Sequence, residues 1–262
     1  MAKIIDFNKK SIELNKEEQA QEIIYDAWES DSIVQRKRLA RKALEIDPLC
    51  IDAYSILAIT SESNEKKLEF YKKGVDAFLK KHDKNYFNEN KGYFWGLVET
   101  RPYMRACAGY GQALWDSGLL DGAIDQFKYL IDLNKNDNQG IRYTLVNWLL
   151  YKDDLEKTEE LLKEYPEKSS FMLFSKLLLS IKQDPNNEEK IIKDLKVAQK
   201  ANKYILKYFL FEKDLPNKVP NSYSIGSEDE AIIYCSESLK TWINDKNAIN
   251  ILNNDFPIFN TI

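Results

Sequence analysis

Apolar positions recur along almost the whole chain at i, i+3, i+4 and i+7, the spacing of an α-helix with one buried face. Short polar stretches separate these runs, so the helices are expected to fold back on one another as antiparallel pairs. "EEQAQEIIYDAWES" pairs with "SIVQRKRLARKALEI", where Ser32-x-x-Gln35 reads as a capping box. Pro48 ends that unit, and Tyr54-x-x-Leu57-Ala58 starts the next first helix, followed by "EKKLEFYKKGVDAFLKK" with Gly74 at a small-residue position. Two further pairs follow from Arg105 and from Ile141. Beyond Pro166, "SSFMLFSKLLLSIK" and "NEEKIIKDLKVAQKAN" form another, joined by "QDPNN". A loop holding Pro216 and Pro220 then leads to a helix that opens at Ser227-x-x-Glu230. Its Ile232, Cys235, Leu239 and Trp242 share one face, and a short helix ends near Leu252.

The clearest unit is "CAGYGQALWDSGLLDGAIDQFKYLIDLNKND". Cys107-x-x-Tyr110-Gly111-x-x-Leu114 is followed by Ala123-x-x-x-Phe127, with Gly118 serving the turn, and this is the spacing of a tetratricopeptide repeat (TPR). Small residues at Gly111 and Ala123 let two helices approach while Leu114 and Phe127 fill the space between them. A shift of 34 residues carries Cys107, Tyr110 and Leu114 onto Ile141, Thr144 and Trp148, with Leu155 opening a shorter second helix. Two blocks, "YFWGLVETRPYMRA" and "LNKNDNQGIRY", together with "EDEAIIYCSESLKTW", resemble a widespread group of bacterial TPR proteins of unassigned function, over roughly Ala20 to Leu252. The C-terminal block is also similar to the end of eukaryotic suppressor-of-tumorigenicity-seven proteins. The chain departs from the group in "ANKYILKYFLF", where an Asn-Pro-His-Val-Pro-like entry is expected, and at Asn247-Ala248-Ile249, where a Gly-Ala-Leu-like ending is expected.

The resemblance and the periodicity together predict an all-α, TPR-like right-handed superhelical solenoid of about five antiparallel helix pairs with a C-terminal helical cap. Residues 1–16 are an N-terminal extension and 17–201 the repeats, with an aromatic insertion at about 82–102. Residues 202–252 form the cap over the last repeat. Residues 253–262 are an apolar tail that shows Phe256, Ile258 and Phe259 to solvent unless it docks.

Composition narrows the function. With 44% hydrophobic and 31% charged residues but only 9 Gly and 7 Pro, the 262 residues encode few turns, as a helical protein does. A net charge of −4 excludes a broad electropositive surface, so no nucleic-acid partner is expected. Cys50, Cys107 and Cys235 stand far apart with no Cys-x-x-Cys pair, which predicts reduced thiols and no metal centre. The N-terminus lacks a signal-peptide core, and no apolar run reaches the ~20 residues needed to span a bilayer. A cytoplasmic protein without a membrane partner is expected.

Nothing reads as catalytic machinery, and no cofactor is expected. His82 is the single histidine and has no cysteine or serine arrangement around it, so it reads as an exposed loop residue. "GYG" around Gly109 lacks the lysine and Ser/Thr of a phosphate loop. Interest centres on "ETRPYMR". Thr100 reads as an N-cap and Pro102 as a first-turn residue. Arg105, Gln112, Trp115 and Asp116 then lie on the face that lines the concave groove of TPR proteins, Gln139 and Arg142 take the matching places one unit on, and Trp95 stands at the rim.

Arg105 and Arg142 either approach each other there to bind a carboxylate or phosphate, or pair with Glu99, Asp116 or Asp137 to lock one repeat onto the next. A receptor for chaperone tails is disfavoured, because the Lys/Asn clamp positions of such relatives hold Gln21, Tyr25, Ser55 and Ile59. The expected function is a non-enzymatic adaptor for a protein or peptide. Self-association through the apolar tail into a homo-oligomer is the alternative, and an enzyme with an unrecognised site is the third reading.

Overall fold

The computed structural model describes residues 14–254. Regular structure within them is helical, apart from one antiparallel bridge between Tyr93 and Asn134. The chain is all-α and built from antiparallel helix pairs. It divides into two compact units, one ending at Asn136 and the other beginning at Asp137. The division falls inside the tract read as continuous repeats. The tail's Phe256, Ile258 and Phe259 lie outside the described residues.

The first unit holds three pairs: α1 (Lys16–Glu29) with α2 (Ile33–Ile46), α3 (Ile51–Ile59) with α4 (Asn64–Lys81), and, after the short α5 (Lys84–Asn90), α6 (Arg101–Asp116) with α7 (Leu120–Leu133). A full capping box opens α1: the Asn15 side chain accepts from the Glu18 N–H at 3.0 Å and the Glu18 carboxylate accepts from the Asn15 N–H at 2.9 Å. At α2 only half of the expected box forms. Ser32 accepts from the Gln35 N–H at 3.3 Å, but the Gln35 side-chain oxygen accepts from Arg38 Nε instead. Ala20, Ile24 and Ala27 recur one turn apart on α1 and bury against Leu39, Ala40 and Ala43 of α2 and Ala53, Ile56 and Leu57 of α3. The alanines permit close approach, and each large side chain fully buried here contributes ~1.5–3 kcal/mol.

Gly111 does what the repeat spacing predicts. A Cβ there would sit 2.6 Å from the Phe127 ring, so only glycine admits that contact between α6 and α7. Gly118 turns the chain at φ +77°.

The second unit holds α8 (Ile141–Tyr151) with α9 (Leu155–Glu164), α10 (Ser170–Gln183) with α11 (Glu188–Ala201), and then α12 (Ile205–Phe209), α13 (Glu228–Ile243) and α14 (Lys246–Asn254). The helices of the C-terminal section pack on one another and, beyond themselves, on first helices: α13 against α8 and α14 against α10. Tyr234 of α13 meets Phe171 and Phe174 of α10 and Phe209 of α12. Trp242 stacks on Phe209 at 4.6 Å and donates its Nε1–H to the Tyr234 hydroxyl at 3.3 Å. Ser227 caps α13 as expected. Glu230, 1% exposed, reaches back past it to accept from the Gly226 N–H at 2.8 Å and from Asn202 Nδ2 at 2.9 Å.

Candidate functional site

Two contacts set the register of the first helices in the first unit. Near their N-terminal ends, Asp52 of α3 meets Arg105 of α6; at the other end, Asn64, the first residue of α4 just beyond the turn out of α3, donates Nδ2–H to the Asp116 carbonyl at the end of α6 at 3.3 Å. The two helices therefore run parallel, and residues two turns farther along, Ile59 on α3 and Gln112 on α6, share one face.

On this face Ile59 is 50% exposed, Gln112 is exposed and donates to Asp116 at 2.9 Å, and Trp115 is half-buried. Tyr25 is 54% exposed on α1, which packs on α3.

Arg105 grips Asp52 as a fork, Nε to Oδ1 at 3.2 Å and Nη2 to Oδ2 at 2.6 Å, while keeping 40% of its side chain exposed. The carboxylate beneath is buried. The locking partner is thus Asp52, not the Glu99 or Asp116 that sequence proximity offered. Asp52 could have been flagged as the lone charge in the apolar helix "IDAYSILAI".

The insertion before α6 is packed, not projecting. Phe78, Phe87, Phe94 and Tyr103 form a ring cluster, with Phe78 stacked on Tyr103 at 4.3 Å and Phe87 on Phe94 at 5.2 Å. His82 is half-buried rather than an exposed loop residue, lying 4.1 Å from both the Phe78 and Tyr86 rings. Burial, aided by Lys81, pushes its imidazole below the ordinary value.

Thr100 occupies the N-cap position but its hydroxyl does not cap α6. It points back to the Phe94 carbonyl and to the Leu97 carbonyl at 2.9 Å, a second donor to oxygens that already accept the N–H groups of Leu97 at 3.1 Å and Thr100 at 3.4 Å, since a carbonyl oxygen has two lone pairs. Pro102 sits in the first turn as expected. Arg101, which sequence left without a role, donates Nε–H to the Trp95 carbonyl at 3.0 Å and lies over the Trp95 ring at 5.6 Å. Trp95 is half-buried under that contact.

In the second unit Arg142 is engaged on several sides. It donates to Asp137 at 2.8 Å, to Glu167 at 2.8 Å and to the Tyr143 hydroxyl at 2.7 Å, and its guanidinium lies 4.2 Å from the Tyr143 ring centroid. Burial works against the cation, but the Glu167 and Asp137 hydrogen bonds outweigh it and raise the arginine's pKa. Burial likewise works against the Glu167 carboxylate, yet donation from Arg142 and Ser169 brings its pKa below the ordinary value.

Asp137 adopts φ +44° and accepts from the N–H groups of Ile141 at 2.8 Å and Arg142 at 3.0 Å, so it caps α8 while pairing with the arginine. Gln139 is half-buried in the turn before Gly140. Farther along α8, Val146, Leu149 and Leu150 are buried, Asn147 donates to the Glu237 carbonyl of α13 at 2.9 Å, and Lys240 of α13 lies over the Tyr151 ring. The α8 surface is thereby covered by the chain itself, unlike the α3–α6 face of the first unit.

The three cysteines are unpaired and buried. Burial raises the Cys50 thiol to about 11 and the Cys107 thiol to about 12, so neither is an activated nucleophile. Among the described residues no cluster of three His, Cys, Asp or Glu side chains has metal-binding geometry, and no helix is long and apolar enough to cross a membrane. No protein-family model matches the chain, and no curated protein sequence matches it.

Proposed function

We propose that the chain is a non-enzymatic adaptor, a TPR-like solenoid with a right-handed superhelical winding, that holds a protein or peptide against the α3–α6 face of its first unit. The observation that carries this reading is the held arginine. The bonds to Asp52 use two of the five donors of Arg105, so the guanidinium is already oriented while its other donors suit a partner's carboxylate or carbonyl. Fixing a side chain in advance reduces the ordering cost of binding. Exposed Ile59 and half-buried Trp115 supply apolar and aromatic contact beside it, the mixture that dominates recognition surfaces. Gln112 and Trp95 complete the surface. Arg142 belongs to the framework.

The repeat spacing from Cys107 to Phe127, and its resemblance to the bacterial TPR group, support the same reading. The three unpaired thiols fit a reducing cytoplasm.

The test is affinity purification from the native cell with tagged wild type and an Ile59→Arg/Trp115→Ala variant, with circular dichroism checking that both are folded. The wild type retains a partner that the variant loses, whereas Asp52→Asn weakens retention only modestly. Identical capture by both, or no capture above a tag-only control, refutes the assignment.

A further inference from the structure

A groove of about 620 Å³ opens between α9, α10 and α11, entirely within the second unit. It arises from a mismatch in length. α9 stops at Glu164 after 10 residues while α10 and α11 run 14 each, and the chain leaves α9 through Tyr165 and Pro166, so one flank of α10 lacks cover. The floor is apolar, with Leu162, Leu173 and Leu179 across it, and Val197 of α11 stands 45% exposed in the wall. Its volume lies within the ~300–1,000 Å³ of ligand clefts.

The rim is cationic although the protein as a whole carries a net charge of −4. Lys163, Lys168, Lys176 and Lys190 line it, and exposed Lys193 falls between Lys190 and Val197 on the same face of α11. The nearby carboxylates are already engaged within the fold. Glu159 pairs with Lys163 at 2.7 Å and Glu167 with Arg142 at 2.8 Å, while Asp194 is buried against Ser180 at 2.7 Å and Lys176 at 3.1 Å. Lys168 and Lys190 have no carboxylate partner among the described residues.

We propose that this groove docks an acidic amphipathic helix of a partner protein, with its apolar face on Leu173 and Val197 and its carboxylates along Lys168, Lys190 and Lys193. Charge complementarity selects the occupant: a basic or neutral helix fits the floor equally well but not the rim. A membrane surface is a poorer match, since the apolar residues lie in a floor between helices and not on a projecting edge. The site shares no residue with the α3–α6 face, so either can fail without the other.

The experiment titrates the full chain into a fluorescein-labelled peptide with leucines at i, i+3, i+4 and i+7 and glutamates elsewhere, read by anisotropy. A second peptide replaces every glutamate with lysine, and phosphatidylserine vesicles form a third arm. The acidic peptide binds, the basic one binds at least ~tenfold more weakly, and raising ionic strength from about 0.05 to about 0.5 M weakens the complex.

Val197→Asp and Lys190→Glu/Lys193→Glu each weaken binding ~tenfold or more. Ile225→Asp, at a site 89% exposed on a different segment, leaves it unchanged. These substitutions lie on exposed positions, and circular dichroism verifies the fold. No binding of the acidic peptide, equal binding of both peptides, indifference to Val197→Asp, or binding of vesicles alone overturns the proposal.

Discussion

Arg105→Ala tests the central feature of the first unit, a half-exposed guanidinium on a buried carboxylate. The substitution leaves Asp52, 2% exposed, without its cation. Orphaning a fully buried charge costs ~3–5 kcal/mol. Two effects lower that here. The arginine side chain is 40% exposed, so water takes over part of its role, and Asp52 lies in the first turn of α3, where the helix N-terminus supplies ~0.3–1 kcal/mol to an anion. The expected loss is about 2 kcal/mol, or a Tm lower by ~4–8 °C for a chain of this size.

Asp52→Asn keeps the shape without the charge and costs about 1 kcal/mol, as for a typical hydrogen bond. The double variant should be less destabilised than the sum of the two, by ~1–2 kcal/mol, as contacting residues require. Urea unfolding followed by circular dichroism measures all four proteins, with constant m-values as the check on two-state behaviour. An Arg105→Ala midpoint unchanged from wild type, or strict additivity in the cycle, refutes the view that this pair locks α6 onto α3.

Other expectations follow from single positions. Gly111→Ala forces a methyl into the Phe127 ring and should destabilise by ~1–3 kcal/mol, whereas Gly122→Ala, whose added Cβ meets only Leu114 at 3.8 Å, should stabilise by ~0.5–1 kcal/mol; thermal melts decide the opposite signs. Glu230→Leu removes the acceptor for Gly226 and Asn202 and should cost ~2–3 kcal/mol, with amide exchange rising fastest at the start of α13. His82 is held below its ordinary value of 6.5, so its contribution is fully present above that pH and is lost as pH falls through the lower folded value. Tm measured from about pH 7.5 to about pH 5 should fall more steeply in wild type than in His82→Phe, and parallel curves refute a role for the imidazole.

Much of the helical framework was legible from residue type and spacing. Pro48 between α2 and α3, Ser32 and Ser227 before their helices, and Gly111 opposite Phe127 each carry a local or fixed-distance requirement, and each is met in the structure. The box at Asn15–Glu18 was equally legible and went unread, while the one expected at Ser32–Gln35 lost its second arm to Arg38, a competing donor one turn away. Thr100 shows the limit of local rules: it stands where a cap belongs, but its hydroxyl turns back to the second lone pairs of the Phe94 and Leu97 carbonyls in the preceding 3-10 turns.

Sequence alone therefore determined that the chain is helical, how its helices pair, and which positions are small or large, because backbone hydrogen bonding and the apolar stripe act over one or two turns. The Asp137 partner of Arg142 was among those the sequence offered, but tertiary structure alone decided that Asp52 holds Arg105 across 53 positions, that Glu167 joins Asp137 around Arg142, and that α13 covers α8. A charge takes whichever opposite charge packing brings within reach, and an apolar helix face takes whichever neighbour excludes the most water; both depend on which helices meet.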